Sequence, residues 1–169
     1  MKVSNTMKRV LTMCLLLAVI VSACGCSKLP FFRKDSKTKE QYQQEATEAG
    51  YTVLKNILSA DYESVKPFIS SEERDEVEQV VKEMDRRLYS DAQIEIESVY
   101  TDEKTYDTNL QFRITLSFET YTTSVMCVMK LTRSGSSWRF KNALPFFSDM
   151  RRINDMYIDG KKQEEDARK

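Results

Sequence analysis

The chain contains no histidine. That removes the side chain most used as a general base and as a metal ligand. Glycine is scarce, four in 169 residues, and they form neither a phosphate-cradling loop nor a G-x-S-x-G nucleophile elbow. Metal-ligand spacings are missing as well. Neither charge sign dominates, with 26 basic and 26 acidic residues, so no basic face argues for nucleic acid. Cysteine is limited to Cys14, Cys24, Cys26 and Cys127. Cys127 sits in an apolar strand pattern and reads as a small buried hydrophobe, so no disulfide framework follows. Long apolar runs are lacking except for Val10–Val21, broken only by Thr12. At about 12 residues it falls well short of the roughly 20 needed to cross a bilayer as a helix.

Around that run the sequence becomes informative. Lys2, Lys8 and Arg9 precede it and Ser22 and Ala23 follow it, the layout of a secretory signal peptide over residues 1–23. Val21-Ser22-Ala23-Cys24 resembles the bacterial lipobox, in which an aliphatic and two small residues precede a cysteine. The resemblance implies a diacylglyceryl thioether on Cys24, cleavage before it and acylation of the new amino group. The expected localisation is then the extracytoplasmic face of a bacterial cell membrane, held by lipid. Acyl chains contribute about 0.8 kcal/mol per buried methylene, so two or more make a stable anchor. The alternative is an ordinary secreted protein in which Cys24 is incidental. Cleavage removes three bases and no acid, leaving the remainder acidic by three charges.

Residues 24–39 read as a basic tether, with Lys28, Arg33, Lys34, Lys37 and Lys39 against Asp35. As a flexible chain it spans roughly 20 Å, and its bases suit either anionic headgroups or water. One domain is expected over 40–160, followed by a charged, unstructured tail over 161–169. Tyr42, Ala46, Ala49, Val53, Leu54 and Ile57 recur at helical spacing across Glu40–Ser59, with Gly50 permitting a bend. Asp61–Lys66 makes one further turn, and Pro67 is expected to push Lys66 out of the α region. Ser70 and Glu73 have the form of a capping box. They open a longer helix whose apolar face is Val77, Val80, Val81, Met84 and Leu88.

From Ala92 the period becomes two. Ile94, Ile96 and Tyr100 are expected on one face of a first strand, with Val99 on the other. Leu110, Phe112, Ile114, Leu116 and Phe118 alternate with polar residues along a second, the pattern of an antiparallel sheet with one covered face. Thr123–Thr132, apolar on both faces around Val125–Met129, predicts a more central strand. Ser134-Gly135-Ser136-Ser137 turns into a fourth with Trp138, Phe140 and Leu144. Ser148 is expected to cap a short last helix and Gly160 to end it. The fold class is therefore α+β, with N-terminal helices packed on a curved antiparallel sheet of about four strands. Glu95 and Glu97 would place two carboxylates roughly 6–7 Å apart, a spacing of interest in glycoside cleavage. They lie opposite Ile94 and Ile96 and read as solvated acids.

This element order, the Asp61-Tyr62 connection and the Ser137-Trp138-Arg139-Phe140 strand resemble the nuclear transport factor 2-like (cystatin-like) superfamily over Glu40–Leu144. More narrowly, the chain resembles the small lipoproteins of that group found in Gram-positive bacteria. The resemblance implies a sheet wrapped around the long helix as a cone whose mouth holds a ligand. Tyr51, Tyr100, Phe112 and Trp138 are then candidate pocket lining, and Phe146, Phe147 and Met150 a candidate lid, although aromatics on covered faces are also ordinary core. Family enzymes place Asp and His in the cone. Without histidine this chain is expected to be non-catalytic, with no cofactor or metal. The expected function is a membrane-anchored binding or interaction module engaging a small apolar ligand, a wall component or an envelope protein. The alternatives are a scaffold subunit of an envelope or secretion assembly, and a cone-pocket enzyme. An open cone would favour ligand or catalysis; a cone plugged by the C-terminal helix would favour scaffolding.

Overall fold

The computed structural model describes residues 37–169. The expected signal peptide, Cys24 and all but the end of the tether lie outside the described residues. Helix α1, Lys39–Leu58, starts where Thr38 accepts the Gln41 N–H and the Gln41 side chain accepts the Thr38 N–H. This reciprocal cap satisfies two helix-end donors. Its buried stripe holds Tyr42, Ala46, Val53, Leu54 and Ile57 as expected, with Gly50 and Leu58 added and Ala49 only partly buried. Gly50 does not interrupt the helix. A Cβ there would lie 2.1 Å from Leu110 Cδ1, so glycine is what lets α1 press onto the sheet.

Two differences follow α1. Helix α2, Tyr62–Val65, is capped by Asp61, and a 3-10 turn, Lys66–Phe68, continues from it. Lys66 keeps α-helical angles, φ −47° and ψ −39°. The chain meets Pro67 in a first helical turn, where a missing N–H costs nothing. The expected long helix is in fact two, α3 Arg74–Glu83 and α4 Leu88–Asp91. All five of its apolar residues are buried nonetheless. The Ser70–Glu73 capping box does not form, because Glu73 is engaged elsewhere. Its carboxylate accepts from Ser70 Oγ at 2.8 Å and from the Ala143 N–H at 2.9 Å.

The sheet is an antiparallel meander in the order β1-β2-β3-β4, comprising Ala92–Thr101, Thr108–Ser117, Thr122–Ser134 and Ser137–Phe140. β2 alternates as expected, with Leu110, Phe112, Ile114 and Leu116 buried. β3 lies inside the sheet order, and Val125, Cys127, Met129 and Leu131 point into the core. Burial pushes the Cys127 thiol up to about 12, which makes it chemically inert. β1 departs from expectation. Ile96 pairs with Phe112 but Ser98 pairs with Gln111, so Glu97 is an extra, bulged residue. Past it the faces exchange: Val99, opposite Leu110, turns inward, and Tyr100 turns to solvent at 62% exposure.

The last helix, α5, is not short. It runs Leu144–Ala167, 24 residues, with Pro145 in its first turn, so Leu144 opens this helix instead of continuing the fourth strand, Ser148 lies inside it and the expected tail is helical as far as Ala167. Phe146, Phe147, Met150, Ile153 and Tyr157 are at most 1% exposed, and α5 packs against α3 and β3. Phe140, Phe146 and Phe147 form a mutual ring cluster with centroids 5.4–5.9 Å apart. Gly160 was the expected stop. A Cβ there would meet the Phe118 ring at 2.3 Å, so the residue serves close approach in mid-helix.

Gly160→Ala therefore sets helix propensity, which favours alanine by about 1 kcal/mol, against overpacking of a ring, which costs about 1–3 kcal/mol. Overpacking should prevail, and chemical denaturation should show a less stable variant. A stabilised variant would mean that Phe118 yields freely.

Candidate functional site

The residues singled out from sequence do not converge on a cavity. Phe112 and Trp138 belong to the core, at 0% and 7% exposure, whereas Tyr51 and Tyr100 are exposed. The candidate lid residues Phe146, Phe147 and Met150 are fully packed. They pack against β3 and α3. Glu95 is exposed on the outer face, and Glu97 takes a hydrogen bond and ion pair from Arg113. No two carboxylates are left poised across a pocket there.

Two surface concavities are lined by described residues. One, about 270 Å³, is lined by Lys37, Gln41, Gln44, Glu45 and Glu48 along α1. The other, about 210 Å³, lies where α4 meets the end of α5. It contains the densest polar cluster. Tyr157 Oη donates to Asp91 Oδ2 at 2.7 Å, and Lys161 Nζ stands 3.3 Å from both Asp91 and Glu164. Glu164 in turn accepts the Glu119 N–H, and Arg168 pairs with Glu119. The Tyr157 hydrogen bond, with help from Lys161 and Ser90, holds Asp91 below its ordinary carboxylate range despite partial burial. Burial first, and then the Asp91 carboxylate, raises the Tyr157 phenol. Lys161 is raised too, its bonds to Asp91 and Glu164 outweighing burial. At neutral pH the phenol is protonated, the amine charged and the carboxylate ionised, each already partnered. That arrangement pins α5 to α4 and leaves no free nucleophile or base.

Asn154 is the structural residue that the sequence reading passed over. It is 4% exposed. Its Oδ1 accepts the Asp85 N–H at 2.7 Å and its Nδ2 donates to the Glu83 carbonyl at 3.1 Å. Both partners sit at the break between α3 and α4, where the ladder leaves backbone groups unpaired. A signal existed: Asn154 falls on the stripe of Met150, Ile153 and Tyr157, and an amide on an apolar stripe must find partners.

Among the described residues no cluster of histidine, cysteine or carboxylate side chains could hold a metal ion, and no helix is long and apolar enough to cross a membrane. No known protein family, curated protein or solved structure matches the chain.

Removing the Asn154 side chain strands two part-buried backbone groups, each costing toward the lower end of about 1–3 kcal/mol. Asn154→Ala should thus lower unfolding stability by about 2–4 kcal/mol, and a loss comparable to an exposed substitution would rule the clamp out. For Tyr157→Phe the expected loss is smaller, about 1 kcal/mol at neutral pH, since Asp91 is partly solvated. Because the native Asp91 value is depressed, its contribution is present above the unfolded value near 3.9 and disappears as pH falls through the native one. The gap between parent and Tyr157→Phe should therefore close in acid. A gap independent of pH would remove Asp91 from the account.

Proposed function

We propose that this chain is a bacterial lipoprotein, anchored by lipid on Cys24 at the extracytoplasmic face of the cell membrane. Its Lys37–Lys169 domain is a non-catalytic interaction module that works by surface contact with another envelope protein. The anchor rests on the charged, apolar and small-residue order of residues 2–23 and on Val21-Ser22-Ala23-Cys24. The order of helices before a four-stranded antiparallel meander supports reading the domain as nuclear transport factor 2-like.

The observation that carries the surface-contact reading is the filled interior. In a cone that binds ligand, the space between helix and sheet stays open to the mouth. Here Phe146, Phe147, Met150 and Ile153 occupy it at no more than 1% exposure. The ionised, mutually paired side chains around Asp91 and Lys161 give a surface suited to fixing a helix and none to driving a reaction. Protein contact at the envelope, including the role of a scaffold subunit in a larger assembly, therefore ranks above a small apolar ligand or catalysis.

Two measurements test the two halves separately. Cys24→Ser should abolish metabolic labelling with a fatty acid and shift the protein out of the detergent phase; unchanged mass and partitioning would defeat the anchor. The parent should take up no apolar fluorescent probe. Saturable, stoichiometric uptake at a single site would return the reading to a ligand carrier.

A further inference from the structure

We propose that the uncovered edge of β3 is a self-association surface, on which residues 122–128 of one chain pair antiparallel with the same residues of a second copy. β4 covers β3 only from Leu131 to Ser134, extended by one bond from the Lys141 N–H to the Lys130 carbonyl at 2.9 Å. Below that point the edge has no strand beside it among the described residues.

Ladder parity determines what this edge offers. The Phe118 N–H donates to the Tyr121 carbonyl at 2.8 Å and closes the β2–β3 hairpin. Odd-numbered residues of β3 consequently turn their backbone groups toward β2, and even-numbered ones turn theirs away. The Lys141–Lys130 bond, made by an even-numbered residue on the far side, agrees with this. Thr122, Ser124, Met126 and Val128 thus present N–H and C=O groups to the open side. Among the described residues these groups have no hydrogen-bond partner. Unpaired backbone groups in a row are a template for another strand.

The stretch is also unguarded. Open edges are ordinarily blunted by charge, proline or a bulge, and the other edge of this sheet has such devices. β1 carries Glu95, Glu97 and the bulge at Glu97. From Thr122 to Met129 there is no charged residue and no proline, and the register with β2 runs unbroken. Met126 and Val128 hold their side chains on the outer face at 39% and 42% exposure.

A second copy suits this edge because the segment is its own complement. Antiparallel pairing about a two-fold axis sets uncharged residues only against uncharged residues, with no like charges opposed. The same pairing carries Lys130 of each copy to the neighbour's β2–β3 turn, which bears Glu119, a carboxylate that Arg168 of its own chain pairs from one side. Lys130 is exposed and has no ion pair of its own among the described residues. Symmetry makes that contact twice.

The test uses the full-length chain in non-ionic detergent and reads protein mass by sedimentation over a range of concentrations. The parent should be a dimer at the upper end. Met126→Lys and Met126→Pro should each be monomeric with parent-like circular dichroism. Proline is tolerated there because the Met126 N–H points away from β2. Gln111→Lys, on the same outer face but one strand inward, should leave the dimer intact. A parent that stays monomeric throughout overturns the proposal, as does a dimer indifferent to both Met126 variants. Equal loss in Gln111→Lys would move the contact to the face of the sheet and overturn edge pairing. Should Met126→Pro fail to fold, hydrogen exchange on the parent decides. Amides of Ser124, Met126 and Val128 are expected to slow with concentration, and concentration-independent exchange refutes the pairing. None of these readouts depends on lipid at Cys24, so failure here is distinct from failure of the anchor.

Discussion

The docking of α5 is the contact on which the rest of this domain depends. The four-stranded sheet has one covered face, and α1 alone does not cover it; the remainder falls to a helix that arrives last in the chain. Phe146, Phe147, Met150, Ile153 and Tyr157 contribute large fully buried side chains, at roughly 1.5–3 kcal/mol for each such residue removed from water. The polar fittings around them follow from this burial. Glu73 receives the backbone at the head of α5, Asn154 closes the α3–α4 break at its middle, and Asp91 holds Tyr157 and Lys161 toward its end. Each supplies a partner for a group that docking would otherwise strand.

The two buried helical glycines express the same constraint from the backbone side. Gly50 brings α1 onto Leu110, and Gly160 brings α5 onto Phe118. In both places the partner is an inward-facing side chain of β2 or its hairpin, so both helices approach the same strand closely. Layers set this close leave little room between them.

How much of this was legible in the sequence follows from which forces act locally. The alternation of Leu110 through Leu116 is a property of neighbouring residues, and the strand is where it indicates. So is the stripe of α1. The β1 bulge was not legible, because a single inserted residue such as Glu97 leaves no mark on composition and only shifts the phase after Ile96. Helix ends were misplaced for a related reason. Gly160 and Ser148 carry residue types common at helix ends, but Gly160 is set by a ring 42 positions earlier in the chain, Phe118. Likewise Glu73 has the spacing of a cap and a better partner in Ala143. Of the candidate lining, Phe112 and Trp138 were placed correctly on the covered side, whereas Tyr100 lies beyond the bulge and Tyr51 off the buried stripe of α1, so both are exposed.

The Asn154 clamp has a consequence for the order of events during synthesis. Its two bonds join residues 69 and 71 positions apart, and the Glu73–Ala143 bond spans 70. Contacts of such separation form late, after the intervening chain has been made and the loop-closure entropy met. Until the final helix leaves the ribosome, the α3–α4 break has no partner and the inner face of the sheet is half bare. The nascent domain is thereby kept from closing early.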